Sequence, residues 1–310
     1  LKPLGEKPVF ELDDRYLAYL AAKAESWLDD PEKYHLEADL APAFHAAIAR
    51  FAVTALATTY PDAFSLSEGP EAVFHNHLLG LSARLDLTTN RVLGVERTRP
   101  RLEGGDAVYA GIDFTGVSVF TFLALQTQED WAVTGVEPES RAEWLRALSI
   151  SFPNHWRPRE KIGRSFAEVH VPVAGIAPLV KAAPALIETM IRKGPWERFA
   201  WGVATDTVLN HHPDNPDDPA RTLTDYAPAS AGAGTWLRIE RQTLVGFPEH
   251  HGALFTIRTY FTPVSTIARD PDRRAALASA VRGMSPESLA YKGLVKLGPP
   301  LLAYLDGDAP

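Results

Sequence analysis

The chain has 310 residues, 45% of them hydrophobic and 23% charged, with a formal net charge of −8 and no cysteine. That balance is ordinary for a globular protein with a sizeable core, and the acidic charge argues against nucleic acid, whose binding rests on Lys and Arg neutralising phosphates. Without cysteine there is no disulfide, iron–sulfur cluster, thiolate-ligated haem or Cys nucleophile, so any metal falls to His, carboxylate, Tyr or Met.

In chain order, Asp13 and Asp14 are suited to cap a helix whose one face carries Leu17, Leu20, Ala24, Trp27 and Leu28. Pro42, apt for a first turn, opens a second helix through Ala57, and a third is expected from about Glu71 to Ser82. The character then changes. Arg91–Glu96, Ser118–Leu125, Trp236–Leu244 and residues 253–261 are rich in β-branched and aromatic residues, which predicts strands. VGFPEHHG, between the last two, reads as a hairpin connection with Gly252 free to take positive φ. A helix from about Ile176 to Arg192 interrupts the strands despite Pro184. Two more, around 271–283 and 286–292, follow Asp-Pro and Ser-Pro starts. This order predicts an α+β fold, with a helical part over 1–88, a sheet core over 89–265 and closing helices over 266–310. Residues 210–221 (NHHPDNPDDPAR) and 227–234 (APASAGAG) read as polar loops.

Apolar runs such as SVFTFLAL at 118–125 are too short to span a bilayer, and the first residues lack the marks of a signal peptide. A cytoplasmic protein without membrane contact is the expectation. Phosphate loops, G-x-G-x-x-G, the G-x-S-x-G elbow and helical His-x-x-x-His are all missing from the sequence.

Ten histidines remain to be weighed. His75 and His77, two apart on the predicted third helix, point to different faces, and His35 and His45 read as helix-surface or packing residues. His211 and His212 lie among Asp206, Asp214, Asp217 and Asp218, a set able to ligate a metal, although a solvated turn is the better reading. His250 and His251 fall at the hairpin tip. His155, in SFPNHWRPREKIGR, and His170, in AEVHVPVAG, differ from these. His170 reads as the end of a short apolar strand that Pro172 stops. It would be rigidly placed among apolar side chains, as a proximal haem ligand must be. A buried histidine bonded to backbone is the alternative.

Residues 151–175, SFPNHWRPREKIGRSFAEVHVPVAG, resemble the signature of the haem-dependent oxidative N-demethylase family, with its Phe-Pro-Ser-Gly-Trp-Arg-Pro, Lys-x-Gly and Ile-His-x-Pro-Val-Pro. Residues 236–264, WLRIERQTLVGFPEHHGALFTIRTYFTPV, are similar to the family's Arg-x-Glu-Arg-Gln-Thr-Leu and Thr-Ile-Arg-Thr-Tyr hairpin. A weaker match covers FELDDRYLAYLAAKAE at 10–25 and QEDWAV at 128–133. The resemblance implies a PAS-like haem domain carrying haem b and acting as a monooxygenase. Family members oxidise secondary amines such as dimethylamine with O2, releasing formaldehyde. Their electrons come from a separate flavin and iron–sulfur reductase. A haem-binding sensor or storage protein is the alternative, since fold does not settle function. A haem-free scaffold is a third reading.

At matching positions, His170 becomes the expected iron ligand. Arg241 and Arg258 are expected either to pair with haem propionates, whose carboxylates suit guanidinium forks, or to form an exposed ladder with Glu240. Lys161 and Arg157 are further propionate partners, and Tyr260 or Glu240 a proton-transfer or amine-orienting group. The sequence departs from the pattern at three places. Ala200 replaces the Asn of Arg-x-Asn-Trp, Asn154-His155 replaces Ser-Gly, and Ala174 replaces a Pro. His155 is accordingly a candidate second ligand, a distal acid–base group, or simply an exposed residue.

Overall fold

The computed structural model describes residues 1–67, 72–140, 142–171, 175–215, 231–232 and 234–307. Helix α1 (Tyr16–Asp29) follows the short strand β1 (Lys2–Pro3). Its buried face carries Tyr16, Tyr19, Leu20, Lys23 and Ala24, whereas Leu28 is exposed, so the predicted stripe is rotated. Asp13 and Asp14 precede the helix, and Arg15 occupies the cap position without a side-chain bond. After the single turn α2 (Pro31–Tyr34) and strand β2 (His35–Glu37), α3 (Pro42–Thr59) begins at the expected proline.

The predicted helix at 71–82 is replaced by strands. A meander of β3 (Phe64–Ser67), β4 (Ala72–Asn76), β5 (Leu81–Asp86) and β6 (Arg91–Arg97) forms a four-stranded antiparallel sheet. Phe74, Asn76, Leu81, Ala83 and Leu85 point inward and Ser82, Arg84 and Asp86 do not, which is period two rather than 3.6. Gly80 makes the tight turn, at φ +61° with the Thr98 carbonyl where a Cβ would sit. The part expected to be helical therefore holds much of a sheet, which crosses the expected boundary at residue 88. Residue 71 itself lies outside the described residues, as do Pro172, Ala174, Asp217, Asp218 and most of 227–234.

The apolar run at 118–125 is the reverse case. It forms helix α4 (Val119–Ala124), capped by the Ser118 hydroxyl, which accepts from the Thr121 N–H at 3.1 Å. Every side chain of α4 is buried, so no polar face betrays the helical period, and a short apolar run cannot be told from a buried strand. Phe120, Phe122 and Leu123 there each contribute about 1.5–3 kcal/mol of apolar burial.

A seven-stranded antiparallel sheet orders the rest. It uses β7 (Asp130–Val136), β8 (Glu143–Ser149), β9 (Trp196–Ala204), β10 (Trp236–Phe247) and β11 (Gly252–Pro263), in the order β1-β9-β10-β11-β7-β8-β2. Strands β10 and β11 are the predicted hairpin, registered from Trp236–Pro263 to Phe247–Gly252. At its tip His251, not Gly252, takes the left-handed conformation (φ 50°), while the Phe44 ring fills the space a Cβ on Gly252 would need. Between β8 and β9 come α5 (Phe166–His170) and α6 (Ala177–Lys193), and α7 (Val264–Ala268), α8 (Pro271–Arg282), α9 (Pro286–Tyr291) and α10 (Leu294–Asp306) follow β11. The last helix contains Pro299 and Pro300, which hid it. The fold is α+β. One face of the large sheet, through Trp131, Val133, Val245 and Leu254, joins α1, α3, α4 and the small sheet in the main core.

Candidate functional site

The other face of the large sheet floors a cavity of about 1060 Å³, at the upper end of ligand-pocket sizes. Period two decides which side chains enter it. Along β10 these are Arg238, Glu240, Gln242 and Leu244, and along β11 Ala253, Phe255 and Ile257. On β9 they are Arg198, Ala200, Gly202 and Ala204, the last three small, and Trp201 and Val203 from the same strand also border the cavity. A Cβ on Gly202 would meet nothing within 4 Å, so this row leaves open space over the sheet. Helices α5 and α6, the α9–α10 junction and the loops after β8 and β9 supply the walls.

His170 stands in that wall as the last residue of α5, not at the end of a strand. Ser165 and Glu168 close a reciprocal capping box at the start of this short helix, which fixes its single turn. The ring is doubly constrained. Nδ1 lies 2.7 Å from the Phe166 carbonyl and the Phe166 ring packs at 4.2 Å between centroids. A carbonyl only accepts, so Nδ1 carries the proton and Nε2 keeps its lone pair. Burial above all, with the charges of Arg198 and Lys161, holds the imidazole below its ordinary range despite the Phe166 carbonyl, so it is neutral at pH 7.

A polar row crosses the floor. Arg198 Nε donates to the Gln242 side-chain oxygen, Gln242 Nε2 donates to Glu240 at 3.0 Å, and Arg238 Nε lies 3.6 Å from the other Glu240 oxygen. Ala200 is the register partner of Glu240 on β9. The family's Asn would therefore stand beside this carboxylate. Arg238 is buried, and its Nε has no hydrogen-bond partner.

The expected site residues divide. His155, Arg157, Lys161, His170 and Glu240 line the cavity. Arg157 is engaged by Asp214 at 2.8 Å and Glu160 at 3.1 Å, and Lys161 donates to the Val169 carbonyl at 2.8 Å. Arg241, Arg258 and Tyr260 lie on the opposite face of the sheet. The reason is again parity: Arg241 is one residue from Glu240, and Arg258 is its register partner. Arg241 is buried against Glu197 at 2.8 Å and the Pro8 carbonyl at 2.7 Å. Arg258 is buried against Asp13 at 2.7 Å, with its guanidinium 3.8 Å from the Tyr19 ring centre, and the Tyr260 hydroxyl bonds Glu11. Both arginines are buried, so an exposed ladder does not describe them, and none of Arg241, Arg258 and Tyr260 is among the residues lining the cavity.

Sequence reasoning missed three contributions. Arg198 belongs to a strand that was not predicted. Tyr291 and Lys292 close the helix expected at 286–292, and Lys296 comes from the unpredicted last helix. His211, read as part of a solvated turn, is buried and lines the cavity, and His212 is buried beside it. Asp206 lies 3.1 Å from His211 Nε2, and the His155 and His211 rings are 4.8 Å apart. Among the described residues no cluster of three or more His, Asp or Glu is gathered to hold a metal ion, and no helix is long and apolar enough to cross a membrane.

Compared with protein families, residues 1–302 match "Haem-dependent oxidative N-demethylase, alpha subunit-like". The chain belongs to this family. No curated protein matches it.

Proposed function

We propose, with that family membership as premise, that this chain is a haem-dependent monooxygenase that removes an alkyl group from an amine. In this reading the large sheet is the PAS-like unit, haem b occupies the cavity on its face, and a separate flavin and iron–sulfur reductase supplies electrons. Haem, when bound, supplies activation of O2. One observation carries the proposal: the His170 ring, with Nδ1 tied to a backbone carbonyl and Nε2 left as a lone pair, in the wall of a cavity large enough for a macrocycle.

The residues present suit haem. His170 stands without a chelating cluster among the described residues, which matches a metal that brings its other ligands with it. The tether from Nδ1 to the Phe166 carbonyl fixes the ring and raises its basicity, as carbonyl partners of ligating histidines do. Arg198 and Lys161, whose charges act on His170, are the cations for propionate carboxylates, with Arg157 at the rim already shared with Asp214 and Glu160. The apolar floor of Leu148, Ile150, Phe255 and Ile257 excludes water beside the plate. Glu240, set among the small residues of β9, binds and orients the cationic amine nitrogen. Ala200 in place of Asn widens the space beside it and favours an amine larger than dimethylamine.

The test is the visible spectrum of protein expressed with haem precursor, beside His170→Ala. A Soret band that collapses or shifts in the variant, followed by formaldehyde release from N-methyl amines with O2 and reductant, is expected. A band indifferent to the substitution refutes the ligand assignment. A haem-bound protein without turnover on any amine points instead to a sensor or store.

A further inference from the structure

The wall between the loops after β8 and β9 holds an arrangement that amine and haem binding do not use. His155 takes the left-handed conformation (φ 63°), a backbone state that costs a residue with a Cβ about 1–2 kcal/mol. The family pattern has glycine at this position. The strained turn is held from both sides. The His155 N–H donates to the His211 carbonyl at 3.0 Å, and the His211 N–H donates to the Pro153 carbonyl at 2.9 Å. Within this clasp the two imidazole rings face each other at 4.8 Å with a 30° tilt. His211 is buried, its Nε2 3.1 Å from Asp206 Oδ1, and that oxygen also accepts from the Val208 N–H at 2.8 Å. His155 itself is exposed yet lines the cavity, so it stands where cavity and solvent meet.

We propose that Asp206, His211 and His155 form an acid–base unit at the cavity mouth, in which His155 exchanges a proton with a ligand in the cavity and His211, fixed by Asp206, positions its ring. The step is a proton transfer alone. The His155 imidazolium loses its ring proton to a basic atom of the ligand, the ring becomes neutral, and solvent at the mouth returns a proton. His155 is the catalytic group. His211 and Asp206 are positioning residues: the His211 ring packs against that of His155 and is itself held by Asp206. Burial works to raise the Asp206 carboxyl, but the hydrogen bonds from His211 and Val208 and the charges of His211 and His155 hold it below the ordinary carboxylate range. It is therefore an anion at neutral pH, set to balance charge on the pair. The other charged groups lining the cavity are Arg157, Glu160 and Lys161 from the loop after β8, Arg198, Arg238 and Glu240 from the floor, and Lys292 and Lys296 from the α9–α10 junction.

The proposal rests on the cavity being the reaction chamber, so its test has an arm that needs no haem. Histidine ring titrations are followed by NMR on the full chain without added haem, His155 being assigned by its loss in His155→Gly. Asp206→Asn is expected to lower the His155 midpoint, and His211→Gln to shift it. Glycine relieves the left-handed strain, and asparagine tolerates that conformation, so His155→Gly and His155→Asn are both expected to fold, the first with an unfolding temperature at or above that of the native chain. With haem, an N-methyl amine, O2 and a reductant, both variants are expected to lose at least about tenfold in kcat and to lose the limb of the pH–rate profile that follows the His155 midpoint. A midpoint indifferent to Asp206→Asn, or a limb that persists in both variants, overturns the proposal. If the native chain forms no Soret band, the haem reading fails while the ring titration still decides this one.

Discussion

Replacing Arg241 by Met separates the two faces of the large sheet. Arg241 is the centre of a buried ionic knot: its Nε lies 2.8 Å from Glu197 and 3.4 Å from Glu11, and its terminal nitrogen donates to the Pro8 carbonyl at 2.7 Å. Arg241 is 3% and Glu197 1% exposed at the side chain, so removing the guanidinium strands a carboxylate away from water. Truncating one partner of such a pair costs about 3–5 kcal/mol. Lys2 and Lys7 reach the other Glu197 oxygen at 3.1 and 2.8 Å, which keeps part of that charge compensated. Methionine also retains the apolar packing of the arginine stem. These put the loss at the low end, about 3 kcal/mol, or a fall in Tm of roughly 5–10 °C. Urea unfolding at pH 7, followed by circular dichroism, reads it directly. Burial works to raise the Glu197 carboxyl, but the hydrogen bonds from Lys7, Arg241 and Lys2 hold it down at about 2. With a folded value below 4.5, the stability it contributes is present above pH 4.5 and lost as pH falls toward 2. The variant should therefore lose stability less steeply in acid than the native chain. Its Soret absorbance per folded molecule should be unchanged, because the side chain never meets the cavity. A variant stable to within about 0.5 kcal/mol of native that nonetheless fails to retain haem would refute this geometry.

Four further outcomes follow from the same coordinates. Arg258→Met loses its contact with Asp13 and its stacking on Tyr19; because Asp13 is partly exposed, the cost is about 2 kcal/mol in urea unfolding, again without effect on haem retention. Gly202→Leu places a side chain where a Cβ meets nothing within 4 Å, so the fold keeps its stability to within about 1 kcal/mol while haem retention in a competition with apomyoglobin falls at least tenfold. Burial first, with the Lys23 charge, pushes His35 down to about 3, so its contribution is complete above pH 6.5 and lost as pH falls toward 3. Thermal unfolding of the native chain should weaken by up to about 1.4 kcal/mol per pH unit in that window from this group, and His35→Gln should flatten the slope. Ala200→Asn restores the family's side chain beside Glu240 and should shift the kcat/KM ratio toward dimethylamine and away from bulkier N-methyl amines; an unchanged ratio argues against the assigned amine position.

The legible and the illegible parts of this sequence divide along one physical line. The hairpin of residues 236–263 and the helices α3 and α6 were readable because their patterns are long and their ends carry local chemistry, as Pro42 does for α3. The segments at 72–86 and 118–125 were misread in opposite directions for one reason: period can be read only where an element has two unlike faces. Helix α4 is buried on every side, and β4 spans only five residues, too few for its alternation to stand out. The site inherits the same limitation. His170, Lys161 and Glu240, singled out by a motif, line the cavity, while Arg241 and Arg258, equally prominent in a motif, face away from it by one residue of parity. In a strand a single step decides between cavity and core, and the sequence of a sheet buried on both sides does not say which step is which.

The histidines carry that point into function. His211 looked like part of a solvated turn because its neighbours are Asn, Pro and Asp, residues that favour loops. What buries it is non-local: the parallel bridge between Asn154 and His211 and the exchanged backbone bonds with residues 153 and 155, some 56 positions away in the chain. No composition or spacing rule reaches that far. The signal that was available lay at the other end of the bridge, where a histidine occupies a place the family pattern gives to glycine. A side chain that keeps a left-handed backbone despite its Cβ is tolerated when its surroundings hold it there. The clasp from Pro153 and His211 is such a surrounding, and the Asp206–His211 pair behind it gives the ring an orientation. A substitution away from the family's residue and a strained backbone thus meet at one position, His155, which lines the cavity, whereas Tyr260 does not.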